Sequence, residues 1–303
     1  MAERTESQIM AEWQGTEKPV ITVLCLTFNH APYIAQALEG FLMQETSFPF
    51  EIVVYNDAST DETTAIVERY RERYPRLIRH IVNERNQFSQ GERVVSLALS
   101  HTRGEYVAYC EGDDYWTDPS KLETQGRFLE EHPEYVITYH RSQPFDEHGD
   151  VDIDFKGARR DLSALELQHA TPLFTLTTCF RNVVREFPPE LAAARFGDLC
   201  LWSLLGHYGK GKYIDAITPA RYRLHAGGVF SAKSRRTKLD MAFYTRSALA
   251  AYYSRVKDCD NANYFKVRAA ISAIKSIGLA VIALNVMEIA FTSMRRTFAS
   301  WLR

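Results

Sequence analysis

Residues 105–116 read Glu105-Tyr106-Val107-Ala108-Tyr109-Cys110-Glu111-Gly112-Asp113-Asp114-Tyr115-Trp116. A short apolar run ends here in three acids within four residues. The run predicts a strand buried on both faces, and the acids fall where such a strand opens into a loop. In an open sheet of parallel strands, ligands collect at those carboxyl ends. Two adjacent carboxylates in that position suit a hard divalent cation, Mg2+ or Mn2+. Such ions take one or two protein carboxylates and complete their shell with water and phosphate oxygens. Asp113 and Asp114 are therefore the expected metal ligands. A solvated acidic turn is the bland alternative, but Tyr115, Trp116 and Pro119 follow directly and predict a turn held in place by packing.

The same grammar repeats upstream. Residues 20–27 form a continuous apolar and β-branched run ending in Thr27, Phe28 and Asn29. Ile34, Ala37, Leu38, Phe41 and Leu42 then recur at helical spacing after Pro32. Residues 51–55 predict a second strand, closed by the polar turn Asn56-Asp57-Ala58-Ser59-Thr60-Asp61, and Ile66, Val67, Tyr70 and Tyr74 predict the next helix. Residues 77–82 and 94–101 supply a third strand and helix, and Asp118-Pro119 opens a helix after the fourth strand. Strands alternating with helices imply an α/β fold with a mostly parallel sheet flanked by helices.

Residues 145–161 are polar and without period, and are expected to loop out, with a boundary near Asp146. From Ser231 onward the apolar spacing is helical and predicts a C-terminal appendage. The expected organisation is a tail at 1–18, a nucleotide-binding half at 19–145, an acceptor-binding half at 146–230 and a helical region at 231–303.

Composition excludes several classes. A net charge of -2 over 303 residues is wrong for coating a nucleic-acid backbone. Five scattered cysteines, without metal-type spacing, argue against a disulfide framework or zinc cluster. The acidic first 18 residues lack the chemistry of a signal peptide, so a cytoplasmic location is expected. Residues 277–291 are nearly all apolar, broken by Asn285 and Glu288 and followed by Arg295, Arg296 and Arg303. They fall short of the roughly 20 residues a membrane span needs, which leaves a packed helix or an interfacial one at the inner membrane face.

Taken together, Thr27-Phe28-Asn29, the run from Asn56 to Asp61, Gly104-Glu105-Tyr106, and the acidic motif with Asp118-Pro119 after it resemble family 2 glycosyltransferases of the GT-A fold, a Rossmann-like sheet, over about the first 140 residues. The resemblance implies an inverting, metal-dependent transfer of sugar from a nucleotide-sugar donor, with UDP as the family tendency. The acceptor would be a glycan or lipid-linked hydroxyl in surface polysaccharide or glycan synthesis. It implies that Thr27, Phe28, Asn29 and Asp57 hold the nucleotide, Phe28 by stacking and Asp57 by accepting from a base N–H, with Asp113 meeting donor and metal together. Turn formation and helix capping by Asp57, Ser59 and Thr60 stand beside that role.

The resemblance further implies Asp198, in Phe196-Gly197-Asp198-Leu199, as catalytic base, with first-turn capping as the alternative. His225, in Tyr222-Arg223-Leu224-His225-Ala226-Gly227-Gly228, would complete the metal site, and Lys233, Arg235 and Arg236 would close over the diphosphate as a lid. Two departures stand out. Glu111 occupies a position where many members carry Asp, and Arg93-Val94-Val95-Ser96 replaces an Arg-Asn pair, leaving Arg93 as the candidate donor contact there. Competing readings are a sugar nucleotidyltransferase, disfavoured because residues 27–33 contain no glycine-rich basic loop, and a non-catalytic nucleotide-sugar-binding module.

Overall fold

The computed structural model describes residues 4–14, 18–153, 157–228 and 233–278. The chain falls into two compact units, Met1–Ala192 with Gly197–Ala232, and Ala193–Phe196 with Lys233–Arg303.

In the first unit, helix α1 (Glu6–Met10) precedes β1 (Ile21–Thr27), α2 (Ile34–Leu42), β2 (Phe50–Asn56), α3 (Thr63–Arg73), β3 (Ile78–Val82), α4 (Val94–Leu99), β4 (Tyr106–Tyr109) and α5 (Lys121–Glu131). Then come β5 (Tyr135–Tyr139), β6 (Ser142–Asp146), β7 (Gly149–Asp150), α6 (Ala164–Gln168), β8 (Cys179–Arg181), α7 (Gly197–Leu205), β9 (Lys210–Tyr213) and β10 (Ala220–Arg223). Seven strands form one sheet in the order β3-β2-β1-β4-β8-β5-β9, and β10-β6-β7 form a second. Among the described strands of the large sheet only β8 runs antiparallel to its neighbours, so the sheet is mostly parallel and helix-flanked, as the alternating pattern predicts.

The central strands explain themselves. Every residue of β2 is buried and all but one of β1, because both faces of the sheet are covered. Their parallel register pairs Thr27 with Asn56, which sets the two polar loops side by side. The ladder on the other side of β1 continues beyond β4: Cys110 N donates to Leu24 O at 3.1 Å and Gly112 N to Leu26 O at 2.9 Å. That extension carries the acidic turn to the end of the first strand.

Packing then fixes the turn. Trp116 is buried against Phe41, with ring centroids 4.7 Å apart, and its Nε1 donates to Leu176 O at 2.7 Å. The buried Lys121 ammonium sits 4.1 Å above the same ring, a desolvated cation–π contact, and donates to Gln125 Oε1 at 2.6 Å.

Residues 145–150, expected to loop out, instead belong to a tight hairpin. Asp146 Oδ1 accepts from His148 N at 2.8 Å and Gly149 takes φ +124°, so a two-residue turn closes β6 onto β7. Strand β6 in turn pairs with β10, and Tyr115 bridges Arg221, which docks β10 beside the acidic turn.

Gly104 offers a direct check on this core. A Cβ there would lie 2.5 Å from Thr22 N and 2.8 Å from Tyr106 O, both backbone atoms that cannot yield. Gly104→Ala is expected to destabilise the fold by about 1–3 kcal/mol, read as a shift in the urea midpoint at unchanged slope.

The second unit contains α8 (Arg235–Arg255) and α9 (Cys259–Ile277). Ser234 Oγ caps α8 by accepting from Thr237 N, Asp258 caps α9 by accepting from Asn261 N, and Lys257 makes the reversal at φ 62°. Ala248, Leu249, Tyr253, Ala262 and Phe265 are buried, with the Tyr253 and Phe265 rings stacked at 5.6 Å. No helix among the described residues is long and apolar enough to cross a membrane. The apolar segment 277–291 lies outside the described residues apart from Ile277 and Gly278.

Candidate active site

Three loop ends meet at the carboxyl edge of β1, β2 and β4. Asn29 adopts φ 55°, and its side chain crosses to the next loop, where Oδ1 accepts from Thr60 N at 2.7 Å. Ser59 Oγ accepts from Asn29 N at 2.9 Å, and Asp61 Oδ2 accepts from Ala31 N at 3.0 Å. Ser59 and Thr60 thus tie the two loops together, while Asp61, through Oδ1 on Thr63 N, satisfies the open end of α3. Phe28 projects with 42% of its surface exposed.

Asp57 is buried and fully engaged. Its Oδ1 accepts from Gln87 N at 2.7 Å and Asn83 Nδ2 at 3.3 Å, and its Oδ2 from Phe88 N at 3.0 Å. The carboxylate therefore gathers the loop after β3, placing Gln87 and an exposed Phe88 beside the first two loops.

Asp113 is the focus of the site. Its Oδ2 lies 3.0 Å from His225 Nε2 and 3.6 Å from His30 Nε2. Burial alone would raise its pKa, but the hydrogen bond from His225 and the charges of His30 and His225 overcome this and hold the carboxyl below its ordinary range. Asp114, expected as a second ligand, is turned inward, where Oδ1 accepts from Arg223 N at 2.7 Å. Burial, then Asp113 and Glu111, push Asp114 well above the carboxylate range.

Arg223 is the brace behind both acids. Its Nε donates to Asp113 O at 2.8 Å and its Nη2 to Gln36 Oε1 at 2.6 Å, and its guanidinium packs over Tyr33 and Phe145. Gly112 lets the first loop approach: a Cβ there would stand 3.0 Å from Thr27 Oγ1 and 3.1 Å from His30 Nδ1. Both of those atoms are buried and have no hydrogen-bond partner among the described residues.

Asp198 lies in the first turn of α7, as expected from its motif. Burial lifts its pKa to about 6, against its own and Leu199's backbone N–H bonds, which lower it. Glu111 stands electrostatically between the two acids, raised to about 7 by burial despite a 2.6 Å hydrogen bond from Thr175 Oγ1, with Asp113 and Asp198 both adding to the rise. Arg93 donates to Pro188 O at 3.3 Å and senses the Cys200 side chain of α7. Lys233, Arg235 and Arg236 belong to the second unit, the two arginines in the first turn of α8.

His30, Arg223, Glu111 and Thr175 are site residues that the sequence reading did not assign. Glu111 was visible as an acid beside the pair, and Arg223 as a neighbour of His225. Among the described residues no three His, Cys, Asp or Glu side chains enclose a ready-made cation cage. Asp113 Oδ2 and His225 Nε2 nonetheless converge, and one carboxylate with one imidazole fits an ion whose remaining ligands are phosphate oxygens and water.

Comparison with known proteins accords with this geometry. An uncharacterized protein of Mycobacterium tuberculosis, Rv1520, is 36% identical over 225 residues, covering 72% of this chain and 63% of its own length. The chain thus spans less than two thirds of that relative. Staphylococcus aureus poly(ribitol-phosphate) beta-N-acetylglucosaminyltransferase TarS is 33% identical over 119 residues, 38% of this chain and 20% of TarS. Among solved structures, S. aureus TarS 1-349 in complex with UDP-GlcNAc shares the fold with a TM-score of 0.57 at 20% identity, over 75% of this chain and 66% of that one. Mannosyltransferase PcManGT from Pyrobaculum calidifontis, in complex with GDP-Man and Mn2+, does so at 0.52 and 17%, over 93% and 83%. The family model for glycosyl transferase family 2 matches residues 22–177, just over half of the chain, and the chain belongs to that family.

Proposed function

We propose that the chain is an inverting glycosyltransferase that moves a sugar from a nucleoside-diphosphate donor, UDP-linked, to an acceptor hydroxyl. The observation that carries this reading is the convergence of Asp113 and His225 at the end of an inner strand, with Asp198 electrostatically linked to them through Glu111. Residues 19–145 would hold the nucleotide and 146–230 the acceptor. Thr27, Phe28 and Asn29 would border the base and ribose, Asp57 would hold that pocket's third loop or the base N–H itself, and Arg93, just before α4, would meet the donor. Asp113 and His225 would hold Mn2+ or Mg2+, which when bound neutralises charge on the departing diphosphate.

Asp198 takes the proton from the acceptor hydroxyl as that oxygen bonds to the anomeric carbon, and the bond to the diphosphate oxygen breaks with its electron pair. One displacement inverts the centre. The TarS name, which specifies a poly(ribitol-phosphate) acceptor, supports an acceptor in a surface polymer. A cytoplasmic enzyme that touches the inner membrane face through residues 277–291 is compatible with lipid-linked acceptors.

The test is a binding screen of UDP-, GDP- and TDP-sugars with and without Mn2+, followed by product anomer determination by NMR. Metal-dependent binding of a UDP-sugar and an inverted product are the expected results. If no nucleotide sugar binds in either condition, the reading fails.

A further inference from the structure

The helical unit differs in charge from the chain that carries it. Residues 233–278, which contain α8 and α9, hold ten Lys and Arg against three Asp and Glu, a net +7 within a chain whose net charge is -2. A basic block in an otherwise acidic chain marks a surface for a polyanion.

Helix α9 shows which kind. Its inward face is complete: Ala262, Phe265, Ala269 and Ser272 are buried, and Arg246 of α8 donates to Ser272 Oγ and to Arg268 O. The opposite face is open among the described residues. Val267, Ile271 and Ile274 follow at intervals of four and three, which sets them in one row along the helix. Val267 is 59% exposed, Ile274 and Ile277 are exposed as well, and Ile271 is half-buried. Single exposed aliphatics are ordinary, but an aligned row opposite a finished packing face adds nothing to the packing of the two helices.

The cations are placed to match that row. At about 100° per residue, Lys266 stands on one side of it and Arg268 and Lys275 on the other, and all three are exposed. An apolar row between long basic side chains fits a lipid interface, where the aliphatic groups enter the acyl boundary and the charged heads reach back to the headgroups. In sequence the apolar character continues past Ile277 through residues 279–291. A nucleic-acid backbone would use the cations and leave the aliphatic row in water. A second copy would set one +7 surface against another.

We propose that the outward face of α9 docks the chain on an anionic lipid surface, with Val267, Ile271 and Ile274 entering the interface and Lys266, Arg268 and Lys275 meeting the headgroup anions. The docking stands independently of sugar transfer; only its link to a lipid-linked acceptor rests on the transferase reading.

The full chain is sedimented with vesicles of phosphatidylglycerol and of phosphatidylcholine, at low and at high salt. Binding is expected on phosphatidylglycerol at low salt, and about tenfold weaker or less on phosphatidylcholine or at high salt. Val267→Gln/Ile274→Gln and Lys266→Gln/Lys275→Gln, all at exposed positions, are each expected to weaken it about tenfold at unchanged melting temperature, the second pair also reducing the salt dependence. Equal binding to both lipids overturns the proposal. So does undiminished binding of Val267→Gln/Ile274→Gln, which assigns the contact to residues 279–291 alone, and so does capture of an RNA oligonucleotide, or dimerisation, without vesicle binding. Mn2+-dependent UDP binding is expected to be the same in every variant. Vesicle docking without nucleotide binding keeps this face and removes the transferase reading; nucleotide binding without docking removes this face alone.

Discussion

Asp198→Asn lowers kcat by about 10^2- to 10^4-fold and leaves the affinity for UDP with Mn2+ within about twofold, because a general base acts on the acceptor proton rather than on the donor. The carboxyl is lifted to about 6 by burial, so the pH dependence has a definite sign. The base form is lost as pH falls through about 6, and kcat in the parent falls with it, reaching a plateau above. In the Asn variant that limb disappears. Stability supplies an independent readout. A carboxyl whose folded pKa is raised above its unfolded value weakens the fold at pH above that pKa, and the penalty is relieved as pH falls through it. Replacing Asp198 by neutral Asn is therefore expected to leave the melting temperature at pH 7 unchanged or higher, so lost turnover cannot be laid to lost fold. Were the residue a simple helix cap, Asn would cap as well and the variant would keep its kcat.

Much of the scaffold was readable because it rests on local rules. The runs that became β1 and β2 are apolar throughout, and a parallel strand covered on both faces has no other requirement. The polar turns after them mark loop positions, and the registration of Thr27 with Asn56 follows once both strands are parallel neighbours. Strands β8, β9 and β10, at three or four residues each, are too short for periodicity to declare them. Strand β8 in particular enters antiparallel between β4 and β5, a choice made by tertiary packing alone.

The site was legible by composition and illegible by direction. Asp113 and Asp114 are adjacent, and neighbouring side chains leave the backbone along different lines, so only the fold decides which one meets the cleft. Asp113 meets the histidines, while Asp114 is consumed by Arg223 N. His30 carries no local signal at all. It reaches Asp113 because β1 and the extended end of β4 are hydrogen-bonded neighbours and Gly112 leaves room between them.

That difference in direction sets the second expectation. Asp113→Asn removes the only one of the two adjacent carboxylates that faces His225, and it is expected to abolish Mn2+-dependent UDP binding and reduce kcat/KM by a hundredfold or more. Lewis-acid stabilisation of several kcal/mol converts to at least that, at 1.36 kcal/mol for each factor of ten. Asp114→Asn should behave quite differently. An amide oxygen can still accept from Arg223 N, so the bond that holds residue 114 inward survives the substitution. Its variant should retain most of the metal-dependent affinity, whereas Asp114→Ala strands the Arg223 N–H and should lower stability by about 1–3 kcal/mol. Isothermal titration with Mn2+ and UDP across the three variants decides the matter. If Asp114→Asn loses affinity as completely as Asp113→Asn, both carboxylates serve the cation, and Arg223 must release Asp114 when the donor binds.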